Sequence, residues 1–162
     1  MKILEIQKVD LASFCYLNKD RYPFLLESVN HNDNNKYSIL FAFPGENIVL
    51  HKFSDFNFLS ELEKQFKSNN LKKDLPFLGG WFVYLSYELI GQIEPILSKE
   101  LCINELPIAY AVEIPSAIII NHQSNTTYLI DQDGNQNRIH SILNDIKSVS
   151  YTHLTLTTIW SV

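Results

Sequence analysis

Few side chains in this sequence have the type and spacing that catalysis or metal binding requires. Glu88 and Glu94 bracket a predicted helical turn, and such a carboxylate pair can perform acid–base catalysis, although a solvated helix face is the simpler interpretation. Five histidines stand singly or in predicted loops, which predicts solvated or core side chains, at positions 31, 51, 122, 140 and 153. We therefore predict no catalytic residue, no cofactor-binding residue and no metal ligand.

The cysteines bear on both metal binding and the cellular compartment. Cys15 and Cys102 stand far apart, and neither has a second Cys or a His close by in the sequence. This spacing argues against a zinc pair and against a disulfide framework. A reducing cytoplasm suits such cysteines best.

One strand segment and a nearby tyrosine have the chemistry to bind a small amphipathic molecule. In an extended strand, Leu26 and Ser28 point to one face while Leu25 and Glu27 point to the other. A ligand similar to tryptophan could place its indole against Leu26 and the ring of Tyr37, with its charged groups near Glu27 and Ser28. The alternative is a buried strand in which Ser28 bonds to backbone.

The elements that would position these residues are mostly short strands. Apolar runs bounded by turn residues predict strands at Ile3–Ile6, Tyr22–Val29, Tyr37–Phe43, Asn47–Phe53, Trp81–Tyr87, Ile108–Ile114, Ala117–Asn121 and Thr126–Ile130. Helical spacing predicts a helical turn over Asp10–Leu17 and helices over Asp55 to about Ser68 and Asn135 to about Lys147. Together they indicate an α+β fold, mainly antiparallel sheet with a few flanking helices.

Capping and turn residues add four local predictions. Asp10 is expected to cap the first helical turn, and Ser54 or Asp55 the next helix. The Asn-rich stretch over residues 29–36 predicts a surface loop. Pro44-Gly45 lies between two apolar runs, and the economical interpretation is a β-hairpin.

The aromatic strand after Gly79-Gly80 is apolar on both faces, which predicts a central position in its sheet. We expect its aromatic residues to lie in the core, namely Trp81, Phe82, Tyr84 and Tyr87. The two glycines precede a strand rather than a helix and lack a following Lys-Ser or Lys-Thr, so they do not form a phosphate-binding loop. They are expected to allow close approach of the backbone to a neighbouring element.

Composition narrows the class of protein further. With 162 residues, 46% of them apolar, the chain is long enough for one domain with a sizeable core. The formal net charge of −5 is spread without a basic cluster, so nucleic acid is not an expected partner. No apolar stretch approaches the length of a membrane span and the N-terminus lacks the pattern of a signal peptide, so we expect a soluble, cytoplasmic protein without a membrane partner.

Three segments in a fixed order carry a family resemblance: Tyr22–Ser28, Tyr37–Pro44 and Asp74–Leu89. The resemblance continues in Ile93-Glu94-Pro95 and in Leu106–Val112. This order, over roughly residues 10–147, resembles the N-terminal region of component I of the chorismate-utilising synthases, the anthranilate synthase component I family. The aminodeoxychorismate synthase component I branch is the most similar, and the anthranilate synthase component I branch comes next. Phe43 departs from the acidic residue that more commonly precedes the family's proline.

The resemblance implies a function that this chain does not carry alone. A parent of the first branch aminates chorismate to 4-amino-4-deoxychorismate for para-aminobenzoate and folate synthesis, with Mg²⁺ as cofactor and a glutamine amidotransferase subunit as partner. In the family, the chorismate and magnesium sites lie in a following domain, and the segment similar to Leu26–Ser28 lines a tryptophan pocket. The chain would then be an N-terminal fragment completed by its own missing chorismate-binding domain. A tryptophan-binding module without catalysis and a structural domain without a ligand remain alternatives.

The last fifteen residues differ in composition from the rest of the chain. Residues 148–162 contain no Asp, Glu, Lys or Arg, and Val149–Leu156 resembles a translated sequencing adapter. We therefore expect a family-type domain over residues 1–147 and a non-native tail over 148–162, the alternative being a genuine strand. A fragment cut at an interface between domains should expose an apolar face.

Overall fold

The computed structural model describes residues 1–28, 36–65, 74–94, 96–97 and 106–157, with side chains described up to residue 149. The strands are β1 (Lys2–Ile6), β2 (Phe24–Leu26), β3 (Tyr37–Ala42), β4 (Asn47–Leu50), β5 (Gly80–Leu85), β6 (Ala109–Ile114), β7 (Ser116–Asn121) and β8 (Thr126–Asp131). The helices are α1 (Leu11–Leu17), α2 (Phe58–Gln65), α3 (Ile90–Ile93) and α4 (Gln136–Thr157), with a 3₁₀ turn at Tyr87–Leu89. The fold is α+β with antiparallel pairing, as predicted.

The chain forms two compact units. The five-stranded unit contains Met1–Pro44, Leu75–Gly79 and the chain from Ile114 onward, and its strands are ordered β1-β8-β7-β3-β2. All neighbours in this sheet pair antiparallel. The helices α1 and α4 contribute Phe14 and Ile142 to the core, where they pack with Leu40, Ile118 and Leu129 of the sheet. This burial is what holds both helices against the sheet.

Side-chain caps define where the helices of this unit begin. The carboxylate of Asp10 accepts the N–H of Ala12 at 3.2 Å, which confirms the predicted cap of α1. Before α4, the side chain of Asn135 accepts the N–H groups of Asn137 and Arg138 at 3.0 and 3.3 Å. The helical spacing that predicts α4 puts Ile139, Ile142, Leu143 and Ile146 on one stripe, and Ile139, Ile142 and Ile146 are buried.

The helix α4 is longer than predicted. Its backbone continues to Thr157 rather than ending near Lys147, so the alternative of a strand is wrong for residues 149–157. The assignment of residues 148–162 as a non-native tail stays a prediction, and residues 158–162 lie outside the described part.

The three-stranded unit contains Gly45–Asp74 and Gly80–Glu113, and its strands are ordered β4-β6-β5. Its core includes Leu50, Phe58 and Ile108. The carboxamide of Gln92 accepts the N–H of Phe58 at 2.9 Å and donates to the carbonyl of Phe56 at 2.5 Å, so it ties α3 to the start of α2. Asn57 accepts the N–H of Ser60 and caps α2.

The predicted start of α2 was therefore wrong by one turn. The helix begins at Phe58, while the Asp55 carboxylate instead accepts the N–H of Lys52 in the preceding turn. The end predicted near Ser68 lies outside the described residues, and so does the loop predicted over residues 29–36 except for Lys36. The strand predicted over Tyr22–Val29 is shorter, since its pairing covers only Phe24–Leu26.

The predicted hairpin around Pro44-Gly45 is wrong, because β3 and β4 belong to different sheets. Strand β3 pairs with β2 and β7, and β4 pairs with β6. Phe43 has a φ of 60° and Pro44 lacks an N–H, so the ladder of β3 ends here. The N–H of Gly45 donates to the carbonyl of Glu113 at 2.8 Å, and both residues belong to the unit that contains β4 and β6. Pairing with strands that are distant in the sequence, rather than the local turn residues, determines which sheet each strand joins.

The aromatic strand β5 is not central. It is the outer strand of the described three-stranded sheet, and its second half is substantially exposed at Val83, Tyr84 and Leu85. The prediction of core aromatics is confirmed for Trp81, which packs against the core of this unit, but it is wrong for Tyr84 and for the 77% exposed Tyr87. Phe82 is half-buried.

Close approach at Gly79 is confirmed. Its φ is +109°, and a Cβ added there would lie 2.6 Å from the Cβ of Gln132. Any larger residue would therefore need both an unfavourable backbone conformation and a displaced neighbour.

Candidate functional site

Two of the four predicted ligand-binding residues share one face of the five-stranded sheet. Leu26 pairs with Ile39, and Tyr37 lies two residues before Ile39 on β3. Paired residues of antiparallel strands, and residues two apart on one strand, point to the same side. Leu26, Ile39 and Tyr37 thus lie on the face opposite the one that packs against α1 and α4, because Leu40 faces those helices.

This second face of the sheet is partly covered by the segment that precedes Gly79. The side chains of Leu75, Phe77 and Leu78 pack against a buried cluster on this face that includes Ile119. The rings of Phe41 and Phe77 meet edge to face, with centroids 5.1 Å apart. Leu26 remains 52% exposed at the margin of this apolar surface. Leu26 and Tyr37 therefore lie beside apolar side chains, and the ligand predicted for them stays a prediction.

The other two predicted residues lie beyond the end of β2. The ladder ends at Leu26, so strand alternation no longer fixes the direction of Glu27 and Ser28. Glu27 is exposed, while Ser28 is half-buried and its backbone N–H donates to the Oγ of Ser38 at 3.0 Å. The structure therefore brings Leu26 and Tyr37 to one face, and it places Ser28 beyond the last ladder pair with its N–H bonded to Ser38.

A serine–histidine pair next to this segment escaped the sequence prediction. The Oγ of Ser38 lies 2.8 Å from the Nε2 of His122. Ser38 is buried and already accepts the N–H of Ser28, so its hydroxyl joins β2, β3 and the end of β7 rather than facing a substrate. His122 is half-buried and has a hydrogen-bond partner, so it has a structural role at this point.

The most completely bonded carboxylate of the described chain, Asp131, was also not predicted. Its oxygens accept hydrogen bonds from the Ser116 hydroxyl at 2.7 Å, the Arg138 guanidinium at 2.7 and 3.1 Å, and the N–H of Asn135 at 2.8 Å. Burial by itself raises the pKa of Asp131, but the hydrogen bonds from Arg138 and Ser116 outweigh it and hold that pKa below its ordinary value. This network is structural, because it fixes the turn from β8 to α4.

A second polar network ties α4 to the start of β2. The carboxylate of Asp145 lies 2.5 Å from Nη1 of Arg21 and accepts the hydroxyl of Tyr22 at 2.6 Å. Burial, followed by the hydrogen bond to Asp145, raises the pKa of Tyr22. The guanidinium of Arg21 also lies 5.1 Å from the ring centroid of Phe43. These contacts anchor the strand that carries Leu26.

Among the open cavities lined by described residues are two whose linings include none of the four predicted ligand residues. One, of about 320 Å³, is lined by Cys15, Tyr16, Lys19, Tyr22 and Pro23 in the five-stranded unit. Burial raises the pKa of the Cys15 thiol, which disfavours its reactive thiolate. The other cavity, of about 300 Å³, lies within the three-stranded unit.

The two carboxylates weighed for acid–base catalysis lie on either side of α3. Glu88 lies in the 3₁₀ turn and Glu94 directly follows α3. Over the described ranges, no group of three or more His, Cys, Asp and Glu side chains is arranged to hold a metal ion. His31, Cys102 and the side chain of His153 lie outside them. Within the same ranges, no helix combines the length and hydropathy needed to cross a bilayer.

Comparison with known proteins adds no family assignment to this geometry. No family model matches the sequence, and no curated protein matches it significantly.

Proposed function

We propose that this chain is the N-terminal region of an aminodeoxychorismate synthase component I. The parent enzyme would act in the cytoplasm and aminate chorismate to 4-amino-4-deoxychorismate, with ammonia from a glutamine amidotransferase subunit. Chorismate and Mg²⁺ would bind in a domain that follows residue 147, and the present residues would supply no catalytic group. The basis is the ordered resemblance of Tyr22–Ser28, Tyr37–Pro44 and Asp74–Leu89 to that family.

The structural observation that best supports this proposal is the exposed apolar surface of the three-stranded unit. Its exposed large apolar side chains are concentrated between residues 83 and 106: Val83, Tyr84, Leu85, Tyr87, Ile93, Ile96, Leu97 and Leu106. A concentration of exposed apolar side chains along one stretch of the chain supports the proposal of a covering partner. A catalytic domain of the same parent would provide that cover.

The apolar face that carries Leu26 and Tyr37 supports a tryptophan-like ligand. The indole would pack on Leu26 and Tyr37, and the ammonium group of the amino acid would lie toward the exposed Glu27. Ser28 would contribute only if its half-buried side chain reaches the ligand. Such a site would regulate or stabilise the parent rather than perform chemistry.

The reaction is tested on the parent enzyme. The source DNA is read in frame beyond codon 147, and the complete protein is incubated with chorismate, Mg²⁺ and ammonium. We expect 4-amino-4-deoxychorismate as the product separated by chromatography. Formation of anthranilate would instead favour the anthranilate synthase branch, and a reading frame without a chorismate-binding domain would contradict both.

The ligand is tested by calorimetric titration of L-tryptophan into the complete parent. Leu26→Ala should weaken binding about tenfold, since it removes most of one apolar wall of the site. Leu59→Ala is the matched control, because Leu59 is similarly exposed but lies on α2 of the other unit. Equal affinity for the wild type and Leu26→Ala would refute the site.

A further inference from the structure

The cavity of about 300 Å³ in the three-stranded unit combines an aromatic lining with two carboxylates. Trp81 and Phe56 supply the aromatic surface, and Glu46 and Glu61 supply the carboxylates. Two backbone stretches position them, since Glu46 directly precedes β4 and Glu61 lies in the first turn of α2. The volume is at the small end of the range for ligand sites, which selects a small molecule.

The aromatic lining is held in place by the core. Trp81 and Phe56 are both half-buried and pack against the cluster that contains Leu50 and Phe58. Neither ring is fully covered, so each can hold its position through the core and still contact a ligand. Flat aromatic surfaces of this kind bind apolar groups and attract cations over their faces.

The polar lining is acidic. None of the described lining residues carries a cationic side chain, and the amide groups of Asn47 and Gln65 add further hydrogen-bonding atoms. Lys64 lies outside the lining, with its ammonium 2.9 Å from an oxygen of Glu61 and with 70% of its side chain exposed. An exposed pair of this type is weak, so a ligand ammonium could share the Glu61 carboxylate with Lys64.

We propose that this cavity binds a small organic ammonium cation that carries an aromatic or branched apolar group. The ammonium would donate to the carboxylates of Glu46 and Glu61, and the apolar group would lie against Trp81 and Phe56. The site is independent of the proposed synthase function, because it lies in the three-stranded unit and uses none of the residues of the tryptophan-like site.

Trp81 provides a direct test in the full chain. The sequence contains two tryptophans, so Trp160→Phe leaves Trp81 as the fluorescent probe. 2-Phenylethylamine, a cationic probe of suitable size, is titrated into this variant, and 3-phenylpropionate serves as an anionic control of similar shape. We expect saturable quenching by the amine and at least about tenfold weaker binding of the acid, since the carboxylates should repel it.

The carboxylates are tested by Glu46→Gln and Glu61→Gln, each of which should weaken binding of 2-phenylethylamine about tenfold. Glu63→Gln is the matched control, because it removes the same charge from an exposed position of α2 outside the cavity. Circular dichroism of every variant checks that the fold is retained. The proposal is overturned if the amine shows no saturable binding up to about 10 mM, or if the acid binds as tightly as the amine. It is also overturned if Glu63→Gln weakens binding of the amine as much as Glu46→Gln and Glu61→Gln do.

Discussion

The two units of this protein bury their strands to different extents. In the five-stranded unit, the central strand β7 is buried from Ser116 to Ile120. The buried carboxylate of Asp131, at the end of β8, accepts hydrogen bonds from Ser116 and Arg138. In the three-stranded unit, the outer strand β5 exposes Val83, Tyr84 and Leu85. The difference indicates that the first unit has a core of its own, whereas the second has apolar surface in excess of the core that the described residues form.

The largest effect should come from removing a fully buried ring in the less enclosed unit. Phe58→Ala leaves a cavity in the cluster that contains Leu50 and Ile108, and should lower the local free energy of unfolding by about 3–5 kcal/mol. If the units are separately cooperative, hydrogen exchange will show lost protection in β4 and β6 but not in β7 and β8. Phe14→Ala, an equally buried ring in the other unit, should give the reverse pattern. Equal loss in both sheets from either variant would contradict separate cooperativity.

The next largest effect concerns the network that closes the five-stranded unit. Asp131→Asn leaves the largely buried guanidinium of Arg138 without its main partner and should lower the free energy of unfolding by about 3 kcal/mol. Asp133→Asn breaks a contact of the same 2.7 Å length to Arg138 but at a 64% exposed carboxylate, and should cost less than about 1 kcal/mol. Urea denaturation of the full chain measures both. Equal decreases in the free energy of unfolding for the two variants would show that the buried pair of Asp131 and Arg138 does not dominate the stability of this turn.

The same carboxylate predicts an acid dependence confined to the five-stranded unit. The pKa of Asp131 in the folded state lies below its ordinary value of 3.8, so its ionised form stabilises the fold above that pH. This stabilisation should be lost as the pH falls through the lowered pKa. The difference in unfolding free energy between wild type and Asp131→Asn should thus be constant above about pH 5 and shrink below about pH 4. A difference that grows on acidification would contradict the assignment.

Local patterns in the sequence were sufficient to predict most of the helices and strands of the five-stranded unit. The strands β1, β7 and β8, the cap of α1 at Asp10 and the buried stripe of α4 follow from period and capping, which act over a few residues. The partner of β3 did not follow, because Pro44-Gly45 signals a turn but not which sheet the chain enters next. Strand partners are set by burial across the whole chain.

The same limit applies to β5 and to the candidate sites. The apolar run that includes Tyr84 and Tyr87 predicts burial, yet both rings are exposed. Aromatic residues are common at protein–protein interfaces as well as in cores, so residue type alone does not distinguish the two. Strand alternation predicted Leu26 and Ser28 on one face, but the ladder ends at Leu26. Leu26 and Tyr37 share a face because β2 pairs with β3, and alternation within one strand does not report that pairing. The bonding of Ser38 to His122 depends on pairing between distant strands, which no local spacing reports.

The smallest effect on stability, and the most direct test of the contrast between the units, comes from the exposed tyrosines. Tyr87→Ser removes a 77% exposed ring and should change the free energy of unfolding by less than about 0.5 kcal/mol, yet reduce self-association of the chain in sedimentation velocity runs. Tyr16→Ser removes an 84% exposed ring from α1 of the other unit and should leave self-association unchanged. If the wild type is monomeric at every concentration tested, or if both variants change self-association equally, then the apolar surface around β5 is not an interface.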